Sequence, residues 1–230
     1  MLIDYMDDFG LDTKNIDKFE KYKELILEYN KHTNLTRITE EDDFNVKHFL
    51  DSLSLFKTGL FDGEKKIIDI GTGAGFPGLP LKLYNEELDI SLLDSLRKRI
   101  DFLNGVIEEL GLTKIKAIHA RAEEIARTED YREQYDLAVS RAVANLSTLT
   151  EYAMGFVKVG GYFISQKGPE YEEELKNAKR AIEVMGGEVQ NVLHTPLPND
   201  IDHYIIVIKK VKHTDKKYPR GGGKPRKSPL

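Results

Sequence analysis

The chain has 230 residues, 40% hydrophobic and 32% charged, with a net charge of -5 and no cysteine. This length suits one sizeable domain with a small helical addition, and the composition excludes a chain disordered throughout or one built around a spanning helix of roughly 18 apolar residues. Without cysteine, disulfides, thiolate-bound zinc, iron–sulfur clusters and cysteine nucleophiles are excluded as well. The opening MLIDYMDDFG is acidic where a secretory signal is basic and then apolar, so a cytoplasmic location is expected.

In chain order, Ile16, Phe19, Tyr22, Leu25, Ile26 and Tyr29 recur at steps of three and four, which predicts an amphipathic helix. A second helical stretch is predicted from Phe44 to Phe56. Beyond Asp62-Gly63 the pattern changes to short β-rich runs, predicted as strands at 66–70, 90–94, 115–120, 137–140, 161–166 and 204–209. Helices are predicted between the first five near 78–85, 97–110, 121–127 and 145–157, and another over 170–186. The run VLHTPLP followed by HYIIVIKKV reads as a closing hairpin-like pair, giving about seven strands. The expected fold class is α/β, a mostly parallel seven-stranded sheet with helices on both faces. The expected division is a helical extension over 1–62, the sheet domain over 63–211, and an arm over 212–230.

That arm, KHTDKKYPRGGGKPRKSPL, holds seven Lys/Arg and one Asp, so it carries +6 and the preceding 211 residues carry -11. Its Gly and Pro content disfavors a regular helix or central strand, so it is expected as an extended arm that becomes ordered against something, RNA or, as the main competitor, the domain itself through Tyr218 and Arg220, or as a solubilising end.

The first strand runs into Gly71-Thr72-Gly73-Ala74-Gly75-Phe76-Pro77-Gly78, four glycines before a helix. Such a turn lets a ligand approach the backbone, and in open sheets it lies where ligands bind. A dinucleotide fingerprint requires glycine at the sixth position from Gly71, where this chain has Phe76, so a pyrophosphate is disfavored and S-adenosylmethionine, which has no phosphate, is expected. Asp94 ends the second strand 23 residues beyond Gly71, where a carboxylate can accept both ribose hydroxyls or simply cap the next helix. After the third strand, Ala122 and Glu123 stand where such folds face the adenine edge, or form a charged first helical turn.

Together with Asn34-Leu35-Thr36, Lys47-His48-Phe49-Leu50-Asp51-Ser52, Leu93-Asp94-Ser95, Arg121-Ala122-Glu123, Ser140-Arg141-Ala142, Lys167-Gly168 and Tyr218-Pro219-Arg220, these segments make the chain resemble the RsmG family, or glucose-inhibited division protein B, over nearly its whole length. The family methylates guanine N7 in small-subunit ribosomal RNA. The resemblance implies a Rossmann-like class I methyltransferase fold, S-adenosyl-L-methionine as cofactor, and 16S ribosomal RNA or the small ribosomal subunit as partner. It also implies a cofactor site lined by Gly71, Phe76, Ala122, Glu123 and Arg141, to which the glycine turn adds Gly73 and the second strand adds Asp94. Lys47 stands where the family has arginine, which removes a bidentate contact there but keeps a point charge.

The residues agree with that chemistry. The N/D-P-P-Y/F loop of amino-group methyltransferases is replaced by Ser140-Arg141-Ala142-Val143-Ala144, and C5 methylation needs a cysteine. Guanine N7 has an in-plane lone pair and no proton, so no catalytic acid or base is expected. Arg141 is expected on the methionine carboxylate or, alternatively, on guanine O6 or a phosphate. His48 and Asp51, on one helical face, form either a lid over the target or a structural pair. His48, Lys167 and Arg220 are the expected substrate contacts, the last beside Tyr218 as a stacking ring. The six histidines show no ligand spacing, so no metal is expected, nor a membrane, and a monomer is expected. A small-molecule methyltransferase and a non-catalytic ribosome-assembly factor are the alternatives.

Overall fold

The computed structural model describes residues 1–141 and 143–230; Ala142, the third residue of the Ser140-Arg141-Ala142 motif, lies outside the described residues. The strands are β1 (Lys66–Ile70), β2 (Asp89–Asp94), β3 (Ile115–His119), β4 (Tyr135–Arg141), β5 (Val157–Lys167), β6 (Gly187–His194) and β7 (Tyr204–Lys210). They form one sheet in the order β3-β2-β1-β4-β5-β7-β6. The first five pair in parallel, and β7 runs antiparallel to both β5 and β6, as the hairpin-like ending predicts. The chain leaves β1 toward one edge and returns to β4 on its other side, which opens a crevice beyond the carboxyl ends of these two strands.

The helices are α1 (Leu2–Asp8), α2 (Ile16–Asn30), α3 (Glu41–Phe44), α4 (Asp51–Leu53), α5 (Gly78–Tyr84), α6 (Arg97–Glu109), α7 (Ala122–Ile125), α8 (Leu146–Met154), α9 (Tyr171–Val184) and α10 (Lys224–Lys227). Alternation along β1 sends Ile67 to one core and Ile68 and Ile70 to the other. Ile68 and Ile70 meet Leu149, Phe156 and Ile182 on the α8 and α9 side. Ile67 meets Leu79 and Leu103 together with Leu2, Phe19, Tyr22 and Phe49, so residues 1–62 share the main core of the sheet. Each such large side chain, removed from water, stabilises the fold by about 1.5–3 kcal/mol.

The single helix predicted over 44–56 is instead broken into α3, a π-helical turn Asn45–Leu50, α4 and a 3-10 turn Ser54–Thr58. The physical reason lies in two burial directions. Phe44, Phe49 and Leu53 enter the main core, whereas Val46 and Leu50 enter a separate cluster with Leu197, a demand that one 3.6-residue stripe does not meet. The wider turn sets the Lys47 carbonyl, His48 and Asp51 toward the end of β4.

The tail is ordered against the domain itself, because residues beyond Lys212 fold back on α8. Glu151 of α8 is fully buried and accepts from the Arg220 guanidinium through both oxygens, at 2.9 and 2.7 Å, and from the Arg220 backbone N–H at 2.7 Å. Arg132 holds the carbonyls of Thr214 and Tyr218, and Arg127 holds that of Pro219. Thr148 donates to the Pro225 carbonyl and Ser147 to that of Leu230. Arg220, expected as an RNA contact, is thus committed to an internal partner: a buried carboxylate needs a cation, and the basic tail supplies it. Arg220→Ala is expected to lower stability by about 3 kcal/mol, and Glu151→Gln in that background to recover part of it. Urea unfolding measures both, and an unchanged midpoint for Arg220→Ala would make the clasp incidental.

Candidate active site

The turn after β1 is fixed at three points. The N–H groups of Gly71 and Thr72 donate to the Leu93 carbonyl of β2 at 2.8 and 3.0 Å. Asp69 accepts from the Thr72 hydroxyl at 2.6 Å and from the Gly78 N–H at 2.8 Å, joining the start of the turn to the start of α5. Burial pushes the Asp69 carboxyl up to about 7 against those hydrogen bonds. Tyr22 of α2 donates to the Ala74 carbonyl at 2.6 Å, so the N-terminal segment braces the turn from outside.

Gly71 and Gly73 are both left-handed, with φ of +70° and +63°. A Cβ on Gly71 would stand 2.7 Å from a Val143 methyl, whereas one on Gly73 meets nothing nearer than the Gly71 carbonyl at 4.0 Å. Gly71 is thus required by packing under the loop after β4, and Gly73 faces open space.

That space is a trough in two parts. A cavity of about 350 Å³ lies among Gly71, Asp94, Ala122, Glu123 and Tyr152. A second, of about 560 Å³, lies among Gly73, Phe76, Asp94, Arg99 and Arg141. Gly71, Asp94, Ser95, Val143 and Arg226 line both. The seven expected cofactor residues, drawn from β2, β4 and the segments after β1 and β3, thus stand around one trough. Asp94 is 3% exposed; its Oδ1 accepts from the Leu96 N–H, and its Oδ2 accepts from Gly73 N–H and Arg99, both at 3.0 Å. A carboxylate offers about four lone-pair sites, so with three taken one remains for a ligand hydroxyl. Two buried carboxylates, Asp94 and Glu123, suit a ligand rich in hydroxyl and amine donors and repel a pyrophosphate. These residues fit S-adenosylmethionine.

Arg141 closes the trough at the other end. Its Nη1 donates to the Lys47 carbonyl and to Asp51, each at 2.7 Å, and its Nη2 donates to His48 Nδ1 at 2.9 Å. Arginine is only a donor, so Nδ1 is the acceptor and the ring proton sits on Nε2, which donates to Thr36 Oγ1 at 2.8 Å. The His48 ring stacks on Phe76 with centroids 4.4 Å apart and planes within 10°. Burial, followed by the neighbouring Arg141 cation, pushes His48 down to about 3, so it is neutral. Burial also works to raise the Asp51 carboxyl, but Arg141 and a hydrogen bond from His203 outweigh it and hold Asp51 below its ordinary value.

A third cavity, of about 700 Å³, opens on the far side of Arg141 among His48, Asp51, Gln166, Lys167 and His203, and it shares His48, Arg141 and Val143 with the trough. His203 Nε2 lies 2.9 Å from Asp51 Oδ1, and Gln166 donates to the same oxygen at 2.8 Å. Lys167 stands in this wall but is not the free cation expected of a substrate contact. It donates to Glu174 at 2.7 Å and to the Ala144 carbonyl at 3.1 Å. Sequence reasoning missed Thr36, Gln166, His203, Tyr152 and Arg226. Thr36 lay within a quoted motif; His203 and Asp51 have no spacing that relates them.

A neutral His48 has a consequence for acid stability. Its folded value lies below the ordinary 6.5, so between pH 6.5 and about 3 the unfolded chain binds a proton that the folded chain does not. Stability should fall with pH across that window, at up to about 1.4 kcal/mol per pH unit from this group, and be unaffected by it above pH 6.5. His48→Asn should flatten the acid side of the stability curve measured by urea unfolding; parallel curves would mean that His48 titrates normally.

Residues 15–200 match the family described as GidB: rRNA small subunit methyltransferase G. The Ribosomal RNA small subunit methyltransferase G of Alkaliphilus oremlandii (strain OhILAs) is 55% identical over 216 residues, covering 94% of this chain and 90% of that protein. That of Thermoanaerobacter sp. (strain X514) is 49% identical over 233 residues, covering 100% and 97%. Among solved structures, TYW2 of M. jannaschii in complex with AdoMet is similar at a TM-score of 0.53 and 15% identity, covering 70% of this chain and 77% of that one. Fibrillarin of Aeropyrum pernix with natively bound S-adenosyl-L-methionine is similar at 0.54 and 18%, covering 68% and 73%. At such identity these two bear on the fold, which is the Rossmann-like class I methyltransferase fold. The match over most of the chain, with relatives near half identity across almost their full length, makes this protein a member of the rRNA small subunit methyltransferase G family.

Proposed function

We propose that this chain methylates N7 of a guanine in the 16S RNA of the small ribosomal subunit, with the trough along the glycine turn as the donor site and the third cavity as the seat of the guanine. The observation that carries the reading is the shared wall: His48, Arg141 and Val143 line both spaces, so a donor in one and a base in the other meet across them. When bound, S-adenosylmethionine supplies a methyl group made electrophilic by its sulfonium.

The chain's own groups then have distinct tasks. Asp94 accepts a hydrogen bond from a ribose hydroxyl, Ala122 and Glu123 face the adenine, and the backbone of Gly71 and Gly73 lies against the methionine part, with Phe76 behind it. Guanine N7 presents its own lone pair, so no residue has to remove a proton. His48 suits this, because both of its ring nitrogens are occupied and it brings no mobile proton to compete for N7. Three of the five N–H donors of Arg141 are engaged in the protein, and the others serve guanine O6 or the methionine carboxylate. On O6, the guanidinium would orient the base without blocking N7. Lys167, held by Glu174, shapes the cavity wall beside the base.

Incubating the protein with small subunits or 16S RNA and labelled donor, then mapping the product, should give N7-methylguanine at one position. Label on another atom or base would overturn the assignment, and an unlabelled RNA would favor the assembly-factor alternative. Gly73→Ala tests the donor site. Its methyl would enter the open space of the trough, and the left-handed backbone costs about 1–2 kcal/mol, so the fold should survive. Affinity for S-adenosylhomocysteine should drop about tenfold or more, and calorimetry showing no change would remove the glycine turn from the donor site.

A further inference from the structure

Arg226 is the one member of the tail that lines both halves of the trough, the half with Ala122 and Glu123 and the half with Gly73 and Phe76. It is exposed, and its guanidinium makes no hydrogen bond or ion pair with the described residues, although Arg127, Arg132 and Arg220 are all committed to internal partners. Its backbone is nonetheless fixed. The preceding Pro225 is buried and its carbonyl accepts from Thr148 of α8 at 3.0 Å, and the Ser228 carbonyl accepts from Arg220 at 2.9 Å. The clasp of Arg220 on Glu151 therefore holds in place, eight residues or fewer away, a cation with its donors unassigned at the edge of the trough. Its charge is felt there: burial and Glu123 raise the Tyr152 hydroxyl, and Arg226 opposes them.

We propose that Arg226 is a donor-binding residue, completing with Asp94 the wall around the ribose of S-adenosylmethionine and donating hydrogen bonds to the ribose oxygens. The position in the trough selects the ribose. Asp94 and Arg226 both belong to the junction of the two halves, and the ribose is the part of the donor that joins adenine to methionine. A carboxylate that accepts and a guanidinium that donates, together on one pair of hydroxyls, bind a diol with complementary groups. The basic tail then belongs to the cofactor site, where its sequence reads as an RNA arm.

This inference rests on the trough being the donor site, and calorimetry separates the two. S-adenosylhomocysteine and 5′-methylthioadenosine, which lacks the amino-acid part, are titrated into wild type, Arg226→Ala, Arg226→Lys and Lys216→Ala, the last an exposed tail residue. Arg226→Ala should weaken both ligands about tenfold, as expected for a lost charge-assisted hydrogen bond. Arg226→Lys should recover part of that affinity, Lys216→Ala should bind like wild type, and the ligand-free melting temperature should not move, because the side chain is exposed. A loss confined to S-adenosylhomocysteine would put Arg226 on the methionine carboxylate and overturn the ribose assignment. Undiminished affinity for both ligands would overturn the inference alone, whereas a wild type that binds neither would bring down the donor site with it.

Discussion

The guanidinium of Arg141 is the interaction on which the site depends. It stands at the last residue of β4 and reaches the Lys47 carbonyl, His48 and Asp51 of the N-terminal segment, so it ties that segment to the carboxyl end of the sheet. Apolar packing of Phe19, Phe44 and Phe49 brings the segment to the sheet but has no direction; the forked hydrogen bonds supply one. The charge is tolerated in a place only partly open to water because Asp51 balances it, and loss of one partner from such a pair costs about 3–5 kcal/mol. Arg141 also lies over the Phe76 ring, 4.9 Å from its centroid, so the turn after β1 and the segment before it are held by the same group.

From that hub the three cavities acquire their shared wall. Without the broken helix around the π-helical turn, the Lys47 carbonyl, His48 and Asp51 would not converge on one side chain, and α4 would not present Asp51 to His203 and Gln166 as well. Two histidines, two donors from β4 and β5 and one carboxylate thus form a closed set in which most polar atoms have a partner. Gln166 Oε1 is an exception. Such a set is stiff, and stiffness is what a transfer that needs alignment, with no proton to move, requires.

The sheet and the trough were legible because each depends on residues close in sequence to a strand end. β1 is read to the residue from its β-rich run and the glycines after it, and Asp94, Ala122, Glu123 and Arg141 each follow from the end of β2, β3 or β4. What was not legible depends on where distant segments meet. The Asp51–His203 contact joins α4 to the loop before β7, and nothing in either local sequence refers to the other. The tail was left open between RNA and the domain because composition reports charge and not its partner. A signal did exist: α8 reads LSTLTEYAM, whose only acid is Glu151, and nearly every position of it is buried. A helix buried on most sides leaves its one carboxylate in need of a cation from elsewhere.

The fate of the cations explains how one end of the sheet serves two ligands. Arg141, Lys167 and Arg220 are neutralised by Asp51, Glu174 and Glu151, so they set shape and offer little net attraction to a polyanion. Arg97 and Lys98 after β2, Arg121 after β3, and Lys224 and Lys227 on α10 are exposed. They follow the carboxyl ends of the strands or sit on the tail strapped beside them, at the same end of the sheet as the trough. In the proposed reaction, phosphate attraction therefore falls to this outer set, and it weakens with salt because each phosphate contact releases counterions. The inner set, compensated within the protein, is insulated from that dependence. On the proposed reading, positioning of the base and affinity for the RNA are thus carried by different residues, and the acidic body keeps its basic tail beside the trough because a buried glutamate on α8 holds it there.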